Sequence, residues 1–364
     1  MNSTIAEINL NNLIHNYNTI RRKTRKKVMA VVKADAYGHG MIECVKTLEK
    51  LQNPPEYYGV ALLCEALELK KSKTTSKPIL CFAPMDIKHV TLYKNIIPTI
   101  TSETQLEDFL KHKLNFKIKV HVNINTGMNR LGIRFENAVI NIEKFSKIRN
   151  IKIDGIYTHF ATSDEFNKDF VNLQLQRFAK IVEELKNKNI DYGYAHCANS
   201  GAIIDLPKSY FDMVRPGISL YGYFPSLETT ESINLKPVMA IKTRISNIME
   251  IKKGETVGYG RLFKAEKNMK IGTLPIGYAD GLSRNLSNKI KVINGNELST
   301  QLGRISMDRI SISLKLNNKL NDEIILLGKK GKLKIDAWDW SKILNTIPYE
   351  ITCSISKRIP RIYI

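Results

Sequence analysis

The chain has 364 residues, 43% of them hydrophobic and 25% charged, which is long enough for two domains that each bury a core. The formal net charge is +21, but the lysines are spread along the whole chain, so we expect neither nucleic-acid nor membrane binding. Five scattered cysteines and seven histidines without metal-ligand spacing argue against a disulfide framework and against a metal site. No basic leader precedes an apolar run at the N-terminus, so we expect a cytoplasmic location.

Up to residue 222, apolar β-branched runs alternate with amphipathic, helix-like segments. Residues 173–188 show the helical pattern clearly, because their apolar side chains recur at the spacing of one helical face. The predicted strands are residues 28–34, 57–62, 78–83, 97–101, 116–124, 151–159, 192–196 and 213–222. Eight strands with intervening helices predict an α/β fold, a (β/α)8 TIM-type barrel.

After Pro225 the pattern changes to strands joined by Gly, Asn and Asp turns, with little helix. The predicted strands are residues 238–251, 270–278, 290–295, 310–316 and 322–328, and a helix is predicted at about 336–344. We therefore predict two domains, a barrel over residues 1–230 and a mostly-β domain over residues 231–364. Residues 4–10 also show strand alternation, and this first strand can pair with the β domain instead of the barrel.

Charged side chains collect at the carboxyl ends of the predicted barrel strands, which is where barrel enzymes hold their active sites. Lys33 stands out because it ends an otherwise apolar strand, and a buried lysine is costly unless it is paired or covalently used. Arg130 and His159 are predicted at the same mouth, and Arg215 is predicted inside the eighth strand.

Backbone amides at two neighbouring loops predict an anion site. Ser200 and Gly201 begin a predicted helix, and Gly217 with Ile218 offers amides beside it, a common phosphate-binding arrangement in barrels. A reactive lysine at strand 1 and a phosphate site at strands 7 and 8 suit an aldehyde cofactor that carries a phosphate. Many barrels bind phosphate, so these residues alone leave the activity open.

Ten ordered sequence blocks extend over both predicted domains and resemble those of the alanine racemase family, whose members use pyridoxal 5'-phosphate on fold type III. They include AVVKADAYGHG (30–40), HVNINTGMNRLGI (121–133), DMVRPGISLYGYFP (212–225), GETVGYG (254–260) and LGRISMD (302–308). The resemblance implies interconversion of L- and D-alanine, which supplies D-alanine for peptidoglycan. It also implies a homodimer whose active sites are shared between subunits.

The resemblance also implies roles for individual residues. Lys33 would carry the cofactor and exchange a proton on one face of the substrate Cα, while Tyr259 of a second copy would act on the opposite face. The implied cofactor-binding residues, besides Lys33, are Tyr37, His159, Asn199, Ser200, Arg215, Gly217, Ile218 and Tyr349. The implied substrate-binding residues are Arg130, Met307, Tyr278 and Asp308.

Two positions depart from the family pattern. Many relatives carry a lysine that becomes carbamylated at the position of Asn123, and an aspartate at the position of Asn125. We expect the Asn123 amide to orient Arg130 in place of the carbamate. Three alternatives stay open: a racemase of serine, lysine or arginine, a barrel-type pyridoxal-phosphate amino-acid decarboxylase, and a basic nucleic-acid-binding or scaffold protein with a decayed site.

Overall fold

The computed structural model describes residues 4–93, 96–111, 116–230 and 233–364. Contacts between Cα atoms divide the described chain into two compact units. One unit comprises Ile14–Ala36 and Met41–Leu235, and the other comprises Met1–Leu13, Tyr37–Gly40 and Lys236–Ile364. Among the described helices, none combines the length and the apolar character that a membrane crossing requires.

The chain before residue 236 alternates strands with helices. Its described elements are β1 (Ile5–Ile8), α1 (Leu10–Thr24), β2 (Lys27–Val31), α2 (Lys33–Tyr37), α3 (Met41–Glu49), β3 (Tyr57–Val60), α4 (Leu63–Lys71), β4 (Ile79–Pro84), α5 (Ile87–Leu92), β5 (Ile96–Ile100), α6 (Glu103–Lys111), β6 (Ile118–Asn125), β7 (Ile133–Arg134), α7 (Ala138–Ser146), β8 (Ile151–Tyr157), α8 (Asp169–Asn187), β9 (Tyr194–His196), α9 (Ser200–Asp205) and β10 (Met213–Val214).

Eight parallel strands form a nearly closed barrel, which confirms the predicted (β/α)8 architecture. They pair in the order β10-β2-β3-β4-β5-β6-β8-β9, and the short β7 adds to β6. Backbone hydrogen bonds from Asp212 to Ala195 (3.1 Å) and from Arg215 to Ala198 (2.8 Å) join the two end strands. The interior is filled by apolar and aromatic side chains of six strands: Met29, Tyr57, Leu80, Ile97, Tyr157 and Met213.

Helix α8 shows why the barrel helices form where the sequence predicts them. Its buried side chains recur at helical spacing and include Leu175, Phe178, Ile181, Val182 and Leu185, so one apolar face is removed from water. The polar residues between them point outward. The predicted helix over residues 173–188 is thus confirmed, beginning four residues earlier, at Asp169, and ending one residue earlier, at Asn187.

The second unit is mostly β structure, as predicted. Its further elements are β11 (Met239–Arg244), β12 (Asn247–Ile251), β13 (Thr256–Val257), β14 (Phe263–Lys264), β15 (Met269–Leu274), β16 (Lys291–Asn294), β17 (Glu297–Leu302), β18 (Ile310–Leu314), β19 (Glu323–Lys330), β20 (Leu333–Ile335), α10 (Ala337–Leu344), α11 (Pro348–Ser354) and β21 (Arg361–Tyr363). The main sheet has the order β12-β15-β18-β17-β16-β19-β11-β1-β21, with β20 paired to β19. Strand β1 is antiparallel to β11 and parallel to β21.

The structure corrects several predicted boundaries. The first barrel strand ends at Val31, before Lys33, and the eighth ends at Val214, so Arg215 to Gly217 do not lie in a strand. Pro216 explains the second difference, because it lacks the amide that a sheet ladder needs and restricts the residue before it. Residues 218–221 form a 3-10 turn instead. The predicted strand 238–251 is two strands, and β17 was not predicted.

Candidate active site

Lys33 directly follows β2 and begins a segment of left-handed backbone. The amide of Val32 donates to the carbonyl of Gly59 at 2.9 Å, which fixes the chain just before the lysine. Residues 34–36 have φ between 51° and 54°, a conformation that costs an L-residue roughly 1–2 kcal/mol each. Strain of this kind persists only where the surroundings enforce it, and it concentrates at functional sites. The side chain of Lys33 is partly exposed.

Arg215 is only 3% exposed, and five hydrogen bonds hold its buried guanidinium in one orientation. The acceptors are the carbonyl oxygens of Thr158 (2.8 Å), His196 (2.8 Å) and Cys197 (3.2 Å), and the Nδ1 atoms of His196 (2.7 Å) and His159 (3.3 Å). A buried charge needs such complete hydrogen bonding to offset its desolvation. The planar guanidinium also lies 5.1 Å from the Tyr157 ring centroid.

Two buried histidines continue the hydrogen bonding from Arg215 into the barrel. Arginine has no acceptor, so His196 Nδ1 must accept from it, and the proton of that ring then lies on Nε2. Nε2 therefore donates to Nδ1 of His121, 2.9 Å away. Burial and the charge of Arg215 lower the pKa of His196 well below its usual value, and burial lowers that of His121 to about 3. Both rings are neutral at physiological pH.

Beyond His121, on the side away from His196, lies the carboxylate of Asp154. Oδ2 of Asp154 lies 4.0 Å from Nε2 of His121 and accepts a hydrogen bond from the Tyr57 hydroxyl at 2.6 Å. Lys119 lies 3.1 Å from Oδ1 of Asp154. Burial alone would raise the pKa of Asp154, but the hydrogen bonds from Tyr57 and Lys119 lower it. Asp154 is therefore ionised and balances part of the positive charge inside the barrel.

His159 shows that several predicted residues converge at one mouth of the barrel. Desolvation, followed by the positive charges of Arg215, Arg130 and Lys33, lowers the pKa of His159 to about 3. Charges affect a titrating group in this way only when they lie close to it. Lys33, Arg130, His159 and Arg215 follow the carboxyl ends of the parallel strands β2, β6, β8 and β10, so the structure places them at one mouth of the barrel, with a neutral imidazole among them.

Arg130 lines an open cleft of about 590 Å³ at the loops that follow β4, β5 and β6. The amide oxygen of Asn125 organises the loop, because it accepts from the backbone amides of Gly127 and Asn129 at 3.0 Å each. Asn123 is buried nearby in β6. Among the described side chains, no hydrogen bond joins Asn123 to Arg130, so the expected direct orientation of the guanidinium stays a prediction.

The predicted anion site is a cradle of buried backbone amides. Asn199 caps α9 by accepting from the Ala202 amide at 3.1 Å, and the Ser200 hydroxyl accepts from the Gly217 amide at 3.0 Å. Within the described part of the chain, the amides of Ser200, Gly201 and Ile218 have no acceptor. Buried amides are nearly always paired, so three without an acceptor at a helix start fit a phosphate group.

The second unit holds the remaining predicted residues. Tyr37 and Tyr349, both predicted to contact the cofactor phosphate, pack with ring centroids 5.9 Å apart. Tyr259 begins a 3-10 turn between Gly258 and Gly260, whose φ values are 73° and 68°. Positive φ favours glycine, and the two glycines let the chain turn sharply and present the phenol outward, 72% exposed.

Tyr259 shares its cavity, of about 540 Å³, with Met307 and Asp308. Met307 is half-exposed, and Asp308 accepts a hydrogen bond from Arg358 at 2.7 Å. Tyr278 is also exposed and lines a separate cavity of about 400 Å³. The structure therefore brings Tyr259, Met307 and Asp308 together but places Tyr278 outside their cavity.

Sequence reasoning did not single out His196 and His121, which continue the hydrogen bonding of Arg215, or Asp154, which lies 4.0 Å beyond His121. Their only sequence signal is a polar residue within an apolar strand, a pattern that turns and strand ends also produce. The described residues hold no group of three or more His, Cys, Asp or Glu that could bind a metal ion.

Comparison with known proteins identifies the family. Residues 8–225 match the profile "Alanine racemase, N-terminal domain", and residues 238–363 match "Alanine racemase, C-terminal domain". The alanine racemase of Clostridium novyi is 41% identical over 99% of this chain and 95% of its own, and alanine racemase 1 of Clostridium acetobutylicum is 40% identical over the same shares. The solved alanine racemase of Clostridium difficile 630 superposes with a TM-score of 0.92 at 35% identity, covering 100% of this chain and 96% of its own.

The fold and these matches define the class of protein, an amino-acid racemase built from a parallel barrel and a mostly-β domain. The chain belongs to the alanine racemase family.

Proposed function

We propose that this protein interconverts L- and D-alanine with pyridoxal 5'-phosphate as its cofactor. The observation that carries the proposal is a buried Arg215, hydrogen-bonded to His159 at 3.3 Å, at the barrel mouth where Lys33 follows β2. The names of the relatives, which are alanine racemases over nearly the full length of this chain, support alanine as the substrate. Racemases of serine, lysine or arginine are outcomes that the experiment below distinguishes.

The chain's own residues fit the cofactor. Lys33 is the proposed site of its covalent attachment, and the amides of Ser200, Gly201 and Ile218 are the proposed phosphate donors. When bound, the cofactor's ring withdraws electrons from the substrate and makes its Cα proton easier to remove. Arg215 is proposed to face the ring nitrogen. Arginine stays protonated, so it disfavours a proton on that nitrogen and moderates the electron withdrawal.

Racemisation needs an acid and a base on opposite faces of the substrate Cα. We assign Lys33 to one face and Tyr259 of a second copy to the other. Tyr259 and Met307 line one cavity and are 72% and 52% exposed, so both are accessible to a second copy, which supports this homodimer. We further propose that the enzyme supplies D-alanine for peptidoglycan in the cytoplasm, with residues 1–230 and 231–364 as its two domains.

The test is to incubate the purified protein, loaded with pyridoxal 5'-phosphate, with L-alanine in deuterium oxide. We expect D-alanine that carries deuterium at Cα, measured by chiral chromatography and mass spectrometry. Lys33→Ala should abolish the exchange and Tyr259→Phe should reduce it by several orders of magnitude, whereas Tyr363→Phe serves as an aromatic control. Exchange with serine or lysine but none with alanine would overturn the substrate assignment.

A further inference from the structure

The peptide that joins Lys33 to Ala34 is held by a side chain from another helix. Oε1 of Glu65 accepts a hydrogen bond from the Ala34 amide at 2.6 Å. The amide belongs to the first residue of the left-handed segment, so this bond fixes the backbone immediately after Lys33.

The other carboxylate oxygen of Glu65 serves a different purpose. Oε2 accepts from the amides of Ala61 and Leu62, at 2.8 Å and 3.0 Å, which lie between β3 and α4. Glu65 is the third residue of α4, and a reach back to the preceding amides is the usual way a glutamate caps a helix start. Capping needs only Oε2. The bond to Ala34 is therefore an additional link from the helix to the lysine segment.

The left-handed segment needs such a link. Residues 34–36 have positive φ and are not glycine, so this backbone is disfavoured unless its surroundings hold it. Its far side is held by Asp35, whose Oδ1 accepts from the Met41 amide at 2.7 Å. Its near side is held by Glu65. If the Ala34 amide lost its bond to Glu65, the backbone at Lys33 could relax. The Cα–Cβ bond of Lys33 would then rotate, and the amine would move with it.

We propose that Glu65 is a positioning residue for Lys33. Its carboxylate joins the start of α4 to the Lys33–Ala34 peptide and keeps the lysine amine aimed at the reacting atoms. The inference rests on the proposed function, because it assigns Lys33 the covalent and proton-transfer roles. In this assignment Glu65 acts through the Ala34 amide and not on the reacting atoms.

Two substitutions separate this link from helix capping. Glu65→Asp is one methylene shorter, so it can cap Ala61 and Leu62 but cannot reach Ala34 as well. Glu65→Gln turns one oxygen into an NH2 donor that faces a backbone donor, so it also cannot serve both sites. Glu68→Gln changes the same charge on the same helix at an exposed position and is the matched control.

The first readout is the rate at which Lys33 captures pyridoxal 5'-phosphate added to the cofactor-free, full-length protein. Aliquots are reduced with borohydride and the fraction labelled at Lys33 is measured by peptide mass spectrometry. We expect roughly tenfold slower capture in both Glu65 variants, the lower end of what the loss of a charge-assisted hydrogen bond corresponds to, because Glu65 is partly exposed. Glu68→Gln should capture at the wild-type rate.

The second readout is the primary isotope effect with Cα-deuterated alanine in each direction. A displaced Lys33 slows only the proton transfers on its own face. The isotope effect should therefore rise for the enantiomer that Lys33 deprotonates and fall for the other. A general loss of stability would change neither, so this pattern identifies positioning.

Capture at the wild-type rate, or unchanged isotope effects in both directions, in soluble Glu65→Asp would overturn the proposal. If one Glu65 variant fails to fold, the other gives the same two readouts. Failure of the proposed function is a separate result: the wild-type protein would capture the cofactor on Lys33 but racemise no alanine.

Discussion

Replacing His196 by Phe should destabilise the barrel through lost hydrogen bonds alone. A Phe ring keeps the stacking with Tyr157, whose ring centroid lies 5.1 Å away at an interplanar angle of 14°, and it is close to His in size. The substitution removes the acceptor that Arg215 contacts at 2.7 Å and the donor that His121 contacts at 2.9 Å. The first loss, at a charged donor, costs about 1.5–3 kcal/mol, and the unsatisfied Nδ1 of His121 costs about 1–3 kcal/mol. We expect a total of about 3–5 kcal/mol.

The assay is urea unfolding followed by far-UV circular dichroism, with His89→Phe, at an exposed helix position, as the control. Each single variant leaves one ring nitrogen unsatisfied and the double variant His121→Phe/His196→Phe leaves none, so the double variant should be destabilised by about 2–6 kcal/mol less than the sum of the two single variants. Two results would refute the proton positions assigned to His196 and His121. One is a loss of unfolding free energy below about 1 kcal/mol for His196→Phe, and the other is a double variant whose loss equals the sum of the two single losses.

The remaining predictions concern pH and the site itself. The pKa values of His121 and His196 are lowered in the folded protein, so the unfolded state binds more protons below about pH 6.5 and stability should fall as the pH drops from there. For His121, whose folded pKa is about 3, the loss should be about 2 kcal/mol between pH 7 and pH 5, and His196 should add to it. The double Phe variant should lose less stability over the same range in urea titrations, and an equally steep loss would contradict the neutral pair. Asn123→Ala should raise KM for alanine severalfold if the amide orients Arg130, and unchanged steady-state kinetics would remove that role. Arg215→Glu should increase side transamination, measured as pyruvate per racemisation event, because a carboxylate stabilises a proton on the ring nitrogen; a constant ratio would count against this reasoning.

The barrel could be predicted from the sequence because each of its strands is a local apolar run between turn residues, and α8 is a clear amphipathic repeat. The carboxyl ends of β2 and β10 could not be predicted from the sequence. The apolar residue Val32 follows β2, but the backbone leaves the sheet there and enters the left-handed segment. After Val214 the backbone leaves the sheet at Pro216 and enters a 3-10 turn. Local hydrophobicity does not encode either change, although Pro216 was a usable signal.

The site divides in the same way. Lys33, Arg130, His159 and Arg215 could be found from their places at predicted strand ends, whereas Tyr259, Met307 and Tyr349 were found because they stand in blocks that resemble a known family. His196, His121 and Asp154 belong to three different strands, and their proximity depends on how β6, β8 and β9 pair. Glu65 looks like an ordinary helix cap until its second oxygen is traced to Ala34. Interactions of this kind depend on side-chain direction across separate elements, which periodicity does not report.

The pairing of β1 with β11 and β21 has a consequence for synthesis. During translation β1 emerges before both of its neighbours, because β11 follows more than two hundred residues later and β21 more than three hundred residues later. The barrel strands can pair before β11 and β21 are made, but both edges of β1 stay unpaired until then. The carbonyl of Ile8 accepts from the amide of Ile364, so a chain that lacked residues 361–364 would leave one edge of β1 unpaired and available for aggregation.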